Sequence, residues 1–140
     1  MGLILDSSVI IAAERRGDTP EQLVHRVLTF AGDQEAALSA NGLTELVHGI
    51  YRAQTPAVRE QRERFVGEII ATLTVYPFTS RIALLAGKID GEQAARGVAL
   101  PFADLLIGAT APSLGFSVLT LNPRHFRLIP GLPIMELALA

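Results

Sequence analysis

The sequence predicts an α/β fold of three layers, α/β/α, built on a mostly parallel sheet of four or five strands. Short apolar runs alternate with longer segments of helical periodicity, which is the pattern of βαβ units. The first run, Leu3-Ile4-Leu5, is apolar at every position rather than at every second one. A strand covered by helices on both faces reads that way. Acids also stand just beyond several strand ends, and in open α/β sheets ligands bind in the crevice beyond the carboxyl ends of the strands.

The elements follow in order. Gly2 to Leu5 is the first strand, ending abruptly at Asp6. Ser7 or Ser8 is suited to cap a short helix running from Val9 to Arg16 and stopping at Gly17. Asp18 and Thr19 before Pro20 signal the next helix start, with proline at its first position. Leu23, Val24, Val27 and Leu28 form its apolar stripe, and His25 falls off that stripe onto the surface. Ala36 to Ala40 is the second strand. Asn41 is expected to cap a helix whose inner face is Leu43, Leu46, Val47 and Ile50. The following helix, Ala57 to Leu73, turns Val58, Phe65, Val66, Ile69, Ile70 and Leu73 inward. Arg59, Glu60, Arg62, Glu63 and Arg64 form its solvated, salt-bridged face.

Thr74 to Phe78 is the third strand, and Thr79 or Ser80 caps a helix with Ile82, Leu85, Ala86 and Ile89 inside. Asp90 and Glu92 read as loop or surface acids around Gly91. Pro101 opens a helix with Asp104 in its first turn. Gly108, Ala109 and Ala111 allow that helix to pack closely on the sheet, and Pro112 predicts a kink or an early stop. Ser117 to Thr120 is the fourth strand, leaving through the turn Leu121-Asn122-Pro123. Arg124, His125 and Arg127 form a small basic cluster around Phe126. Pro133 to Leu137 supplies a fifth, edge strand, where a leading proline is tolerated.

Composition excludes several classes. With 140 residues, 49% of them apolar and 19% charged, the chain fits one domain with a real core. No cysteine is present, so thiolate metal sites, disulfides and cysteine nucleophiles are all excluded. No apolar run approaches the roughly 18 residues that a membrane span needs. The N-terminus lacks the basic leading region of a signal peptide, so a cytoplasmic location is expected. Twelve basic residues against fourteen acidic ones leave a net charge of −2. Such a chain is no general polyanion binder, and any contact with nucleic acid must come from a local basic patch or through metal ions.

Asp6, Glu45 and Asp104 each follow or neighbour a strand's carboxyl end, and Asn122 follows another. In a doubly wound sheet these positions can converge on one crevice. Taken singly, each has a plain structural explanation: a turn residue for Asp6, and a helix-start acid for Glu45 or Asp104. Together, without lysines, the carboxylates would repel one another. A hard divalent cation relieves that repulsion, and Mg²⁺ favours carboxylate oxygens and retained waters. Metal so held suits attack of water on a phosphodiester.

Four stretches then carry a family resemblance: Leu3-Ile4-Leu5-Asp6-Ser7-Ser8, Thr44-Glu45-Leu46-Val47-His48-Gly49, Ala103-Asp104-Leu105-Leu106-Ile107-Gly108-Ala109-Thr110-Ala111, and Val118-Leu119-Thr120-Leu121-Asn122-Pro123-Arg124-His125-Phe126. In this order they resemble a PIN domain, and more closely the VapC toxins of bacterial type II toxin–antitoxin pairs. The likeness spans nearly the whole chain, so residues 1–140 are expected to form a single PIN domain. It implies a Mg²⁺-dependent endoribonuclease, with Mn²⁺ able to substitute. The family's first three acids fall on Asp6, Glu45 and Asp104, as catalytic residues and metal ligands. Its fourth catalytic position falls on Asn122, where a neutral amide is a weaker ligand than a carboxylate and suits a metal-bound water instead. The likeness also implies an RNA substrate, a homodimer and a small VapB-like antitoxin that covers the site. Arg124 and His125 are the first candidates for RNA contacts, with Arg15, Arg16 and Arg52 as the other possible patch.

Other classes fit less well. A haloacid-dehalogenase-like phosphatase needs a second Asp where Ser8 stands. A receiver-type phosphoacceptor needs a late lysine, and the only lysine is Lys88, inside a helix. A degenerate PIN domain that only binds RNA or protein would keep the fold, and Asn122 is the residue that favours it.

Overall fold

A computed structural model describes residues 1–137, so the last three residues of the expected 1–140 domain lie outside it. Five strands form one sheet: β1 (Gly2–Leu5), β2 (Glu35–Ser39), β3 (Thr74–Tyr76), β4 (Ser117–Thr120) and β5 (Ile134–Glu136). Their spatial order is β3-β2-β1-β4-β5, and every neighbouring pair is parallel. Six helices connect them: α1 (Ser7–Arg16), α2 (Pro20–Ala31), α3 (Ala40–Tyr51), α4 (Pro56–Thr72), α5 (Ser80–Ala95) and α6 (Phe102–Leu114).

The three layers follow from the two-residue period of a strand. Leu3 and Leu5 of β1 face one way, into a core with Val9, Leu23, Val27, Leu46, Phe65 and Ile69 of α1 to α4. Ile4 faces the other way, against Ile107 and Ala111 of α6 and the segment carrying Phe126, Ile129 and Leu132. All four residues of β1 are buried, so the central strand shows no alternation in its sequence. A fully buried aliphatic side chain contributes about 1.5–3 kcal/mol, against about 1 kcal/mol for a cap. Burial decides that these elements form, and caps decide where they begin.

The caps are where expectation and structure part. Thr19 does cap α2, in a capping box with Gln22 and with Pro20 at the helix start. Thr79 caps α5. Ser7 and Ser8, however, lie inside the first turn of α1, and Asp6 occupies the cap position without a side-chain cap bond. Ser39, not Asn41, caps α3 through Gly42 N–H, because β2 runs Glu35–Ser39, one residue earlier than expected. The Asn41 side-chain oxygen is buried with no hydrogen-bond partner among the described residues. At Pro112 the helix is not cut: α6 runs on to Leu114, and Gly115 closes it at φ 71.

Three expected core residues are on the surface: Leu28, Val47 and Ile70 are 39%, 37% and 47% exposed. Each follows a buried residue, Val27, Leu46 or Ile69. Adjacent helical residues point about 100° apart, so only one of each apolar pair can occupy the centre of the buried stripe. On α4, Arg62 is not part of a solvated face. It is half-buried, and its Nη1 donates to the Gly49 carbonyl at 2.7 Å, tying α4 to α3. Among the described residues the remaining α4 charges form no salt bridges. Asp90 and Glu92 are exposed within α5, which passes through Gly91 without a break.

Candidate active site

The chain leaves β1 toward β2 and β3 on one side, then crosses to β4 and β5 on the other. The switch point is therefore the β1–β4 pair, and a crevice opens beyond the carboxyl ends of such strands. Asp6 ends β1, and its N–H donates to the Leu119 carbonyl of β4 at 2.9 Å. As a residue Asp6 is 6% exposed. Two hydroxyls fix it: Ser8 Oγ donates to Asp6 Oδ2 at 2.7 Å, and Thr120 Oγ1 donates to the same oxygen at 2.9 Å.

Backbone geometry aims those hydroxyl protons. Leu121 N–H donates to Ser8 Oγ at 3.2 Å, and Asn122 N–H donates to Thr120 Oγ1 at 2.9 Å. With an acceptor site of each hydroxyl so occupied, its proton is directed at Asp6. The other carboxylate oxygen, Oδ1, carries no hydrogen bond among the described residues.

Glu45 comes from α3, one turn past the end of β2, and Ser7 Oγ donates to its Oε1 at 3.2 Å. Asp104 comes from the first turn of α6, on the opposite face of the sheet. Its Oδ2 accepts from His125 Nδ1–H at 2.8 Å, the imidazole being the donor because a carboxylate can only accept. The carboxylates feel one another. Burial pushes the Glu45 carboxyl above its ordinary value, and the charges of Asp6 and Asp104 push it further, against the Ser7 hydrogen bond. Burial likewise raises Asp104, helped by Asp6 and opposed by His125.

Asn122 is exposed, its main-chain N–H donates to Thr120 Oγ1, and its amide makes no hydrogen bond among the described residues. Arg124 is exposed without an ion pair among the described residues. Arg127 leaves the expected basic cluster by pairing with Glu136 at 3.6 Å, and His125 is engaged by Asp104. Three residues that hold the acids were not legible as site residues. Ser7 and Ser8 looked like caps, and Thr120 looked like the last residue of a strand. Ser7 and Ser8 have one local signal, their place directly after Asp6, whereas Thr120 has no acid beside it in the sequence. The His125–Asp104 bond spans 21 residues and left no trace in the local pattern.

A PIN domain model matches residues 3–132. The chain belongs to the PIN domain family. Ribonuclease VapC1 of Rickettsia felis is 31% identical over 138 residues, covering 99% of this chain and 98% of that protein. Ribonuclease VapC of Rickettsia bellii is 32% identical over 139 residues, with the same coverage. In fold, this PIN domain matches the crystal structure of VapBC2 from Rickettsia felis bound to a DNA fragment from their promoter, with a TM-score of 0.84. That match covers 99% of this chain and 100% of the other at 21% identity. The parallel five-stranded sheet flanked by helices is thus the PIN arrangement.

The donor set suits a hard divalent ion. It consists of carboxylate oxygens alone, and Glu45 and Asp104 are raised first by burial and then by the neighbouring carboxylate charge. Among the described residues no three acids or histidines already form a tight ligand cluster. Mg²⁺ does not require one, since it usually takes one or two carboxylates and keeps several waters.

Proposed function

We propose that this PIN domain is a divalent-metal-dependent endoribonuclease and the toxin of a type II toxin–antitoxin pair. The observation that carries the reading is the placement of three carboxylates at the switch point: Asp6 where β1 ends, Glu45 on α3 held by Ser7, and Asp104 in the first turn of α6. The two full-length ribonuclease relatives support it. Mg²⁺ is the ion of choice, with Asp6 and Asp104 its main holders and Glu45 its neighbour. When bound, it would activate a water and neutralise phosphate charge.

The chain's own residues do the rest. Ser8 and Thr120 hold Oδ2 of Asp6 and leave Oδ1 without a hydrogen bond among the described residues. His125 holds one oxygen of Asp104. Glu45, raised above an ordinary glutamate, is a stronger base and suits accepting a proton from the attacking water. The Asn122 amide adds no charge and suits a hydrogen bond to a metal-bound water. Arg124, and the outer nitrogen of His125, suit contacts to phosphate. The VapC likeness supports a VapB-like antitoxin, a homodimer and a cytoplasmic location. Among the described residues no helix is long and apolar enough to cross a membrane.

The test is RNA cleavage by the purified protein. EDTA should abolish it, and Mg²⁺ or Mn²⁺ should restore it. Asp6→Asn should lower kcat by about 10²-fold or more, the scale of losing one electrostatic group in a catalytic site. Asp90→Asn, on the exposed side of α5, should leave the rate unchanged. Equal rates for Asp6→Asn and wild type in matched preparations would refute the assignment.

A further inference from the structure

Gln93 stands in the last turn of α5 and is only 8% exposed. Its surroundings are apolar: Ile89, one turn earlier, packs in the cluster of Phe126 and Ile129. Gln93 Nε2 donates to the Leu128 carbonyl at 2.8 Å, while its Oε1 is buried with no partner among the described residues. Chemistry fixes which amide atom is which, because the Leu128 carbonyl can only accept. A buried acceptor left unpaired is unfavourable, and a methionine of similar length would fill the place without one. Packing therefore does not account for the amide, and its donor does.

That donor joins two segments. Through its main chain, Gln93 accepts from Arg96 N–H at 3.0 Å and Val98 N–H at 2.9 Å, closing α5 with Gly97 at φ 76. Residues 98–101 then lead straight into α6, whose first turn holds Asp104. Through its side chain, Gln93 holds Leu128, the end of a single helical turn Phe126–Leu128. Leu128 N–H donates to the His125 carbonyl at 3.1 Å, and His125 donates to Asp104 at 2.8 Å. Among the described residues the Gln93–Leu128 bond is the one hydrogen bond between α5 and that turn. Both ends of the His125–Asp104 pair thus trace back to one residue.

We propose that Gln93 is a positioning residue for Asp104: it holds Leu128, and through that turn it keeps His125 bonded to Asp104 Oδ2. The part Asp104 plays in catalysis rests on the ribonuclease reading above, whereas the hydrogen-bond chain does not. A displacement of about 1 Å, even from a remote change, can cost about 10²-fold in rate. Losing a group that orients a metal ligand usually costs about 10–100-fold in affinity.

The test compares wild type, Gln93→Met, His125→Ala and the double variant, with Ile82→Val as control. Ile82 is buried in the first turn of the same helix, so its truncation loosens α5 without touching the bond to Leu128. Three quantities are read: kcat and KM on RNA with Mn²⁺, Mn²⁺ affinity by titration calorimetry, and the Nδ1-bound proton of His125 in metal-free protein. Long-range proton–nitrogen NMR correlation detects that proton, and His125→Ala assigns it among the three histidines. Gln93→Met should lower kcat about tenfold at constant KM, weaken Mn²⁺ binding about tenfold and diminish the Nδ1–H signal. Acting through His125, it should have no further effect in the His125→Ala background. Ile82→Val should lower Tm and leave all three quantities at their wild-type values. If Gln93→Met does not fold, Gln93→Asn, whose amide stops one methylene short of Leu128, should show the same losses. Unchanged Mn²⁺ affinity and an unchanged His125 signal in a folded Gln93 variant would overturn the proposal. So would losses that add in full to those of His125→Ala, equal losses in Ile82→Val, or failure of both Gln93 variants to fold. If wild type cuts no RNA while the Mn²⁺ cycle and the His125 signal behave as expected, the ribonuclease reading fails and the role of Gln93 stands.

Discussion

Thr120 is wholly buried, and a buried hydroxyl left without partners costs about 1–3 kcal/mol. Here the hydroxyl accepts from Asn122 N–H and donates to Asp6 Oδ2, so one side chain ties the end of β4 to the acid that ends β1. Thr120→Val keeps the shape and removes both bonds. It should destabilise the fold by about 1–3 kcal/mol. It should also weaken Mn²⁺ binding by about 10–100-fold, the usual effect of losing a group that orients a metal ligand, as read by titration calorimetry. Thr120→Ser should recover most of the affinity, because it restores the proton that Asp6 accepts. A variant that lost stability but bound Mn²⁺ normally would assign Thr120 to the fold and not to the site.

At the scale of elements, α6 carries Asp104, and its position depends on Gly108. A Cβ at Gly108 would run into Ile129 Cδ1 and approach Phe126 and Leu132. Two effects oppose each other in Gly108→Ala. Alanine is the better helix former by up to about 1 kcal/mol, while overpacking a tight contact costs about 1–3 kcal/mol. The crowding should win, giving a lower urea midpoint, and Ile129→Val beside it should recover part of the loss. A stabilised Gly108→Ala would mean that Ile129 simply turns away. The sequence reading placed these elements within about two residues, because a sheet covered on both faces leaves continuous apolar runs between helical stripes. It could not say which member of Val27/Leu28, Leu46/Val47 or Ile69/Ile70 turns inward, since that depends on the neighbouring helix. Nor could it reach the Thr120–Asp6 and Ser7–Glu45 bonds, which join residues 114 and 38 positions apart. Acids at strand ends were visible because their type and place are local. The hydroxyls that hold them are set by strand order, which is not.

At the scale of the whole molecule, the fold gathers acids from both faces of the sheet around one switch point, and this must cost stability. Glu45 and Asp104 have pKa values raised above their ordinary 4.5 and 3.8. The folded chain therefore holds protons that the unfolded chain would release. Their stabilising contribution is complete below those ordinary values and is lost as pH rises through the raised ones. With EDTA present at about pH 7.5, Glu45→Gln should then melt above wild type. The gap should close as pH falls below about 4, where the wild-type glutamate is protonated and as neutral as glutamine. Asp104→Asn should show the same trend less strongly, because His125 favours the charged aspartate. A bound divalent ion should reverse the order. At a concentration of 100 times Kd, ligand binding adds about 2.7 kcal/mol, or roughly 5–10 °C in Tm for a chain of this size. Mn²⁺ should thus raise the wild-type Tm above that of Glu45→Gln, whose own shift should be smaller. Differential scanning fluorimetry across pH, with and without Mn²⁺, reads all of this. A wild-type Tm indifferent to Mn²⁺, or a Glu45→Gln variant less stable than wild type in EDTA at pH 7.5, would show that the acids are held for the fold and not for a cation.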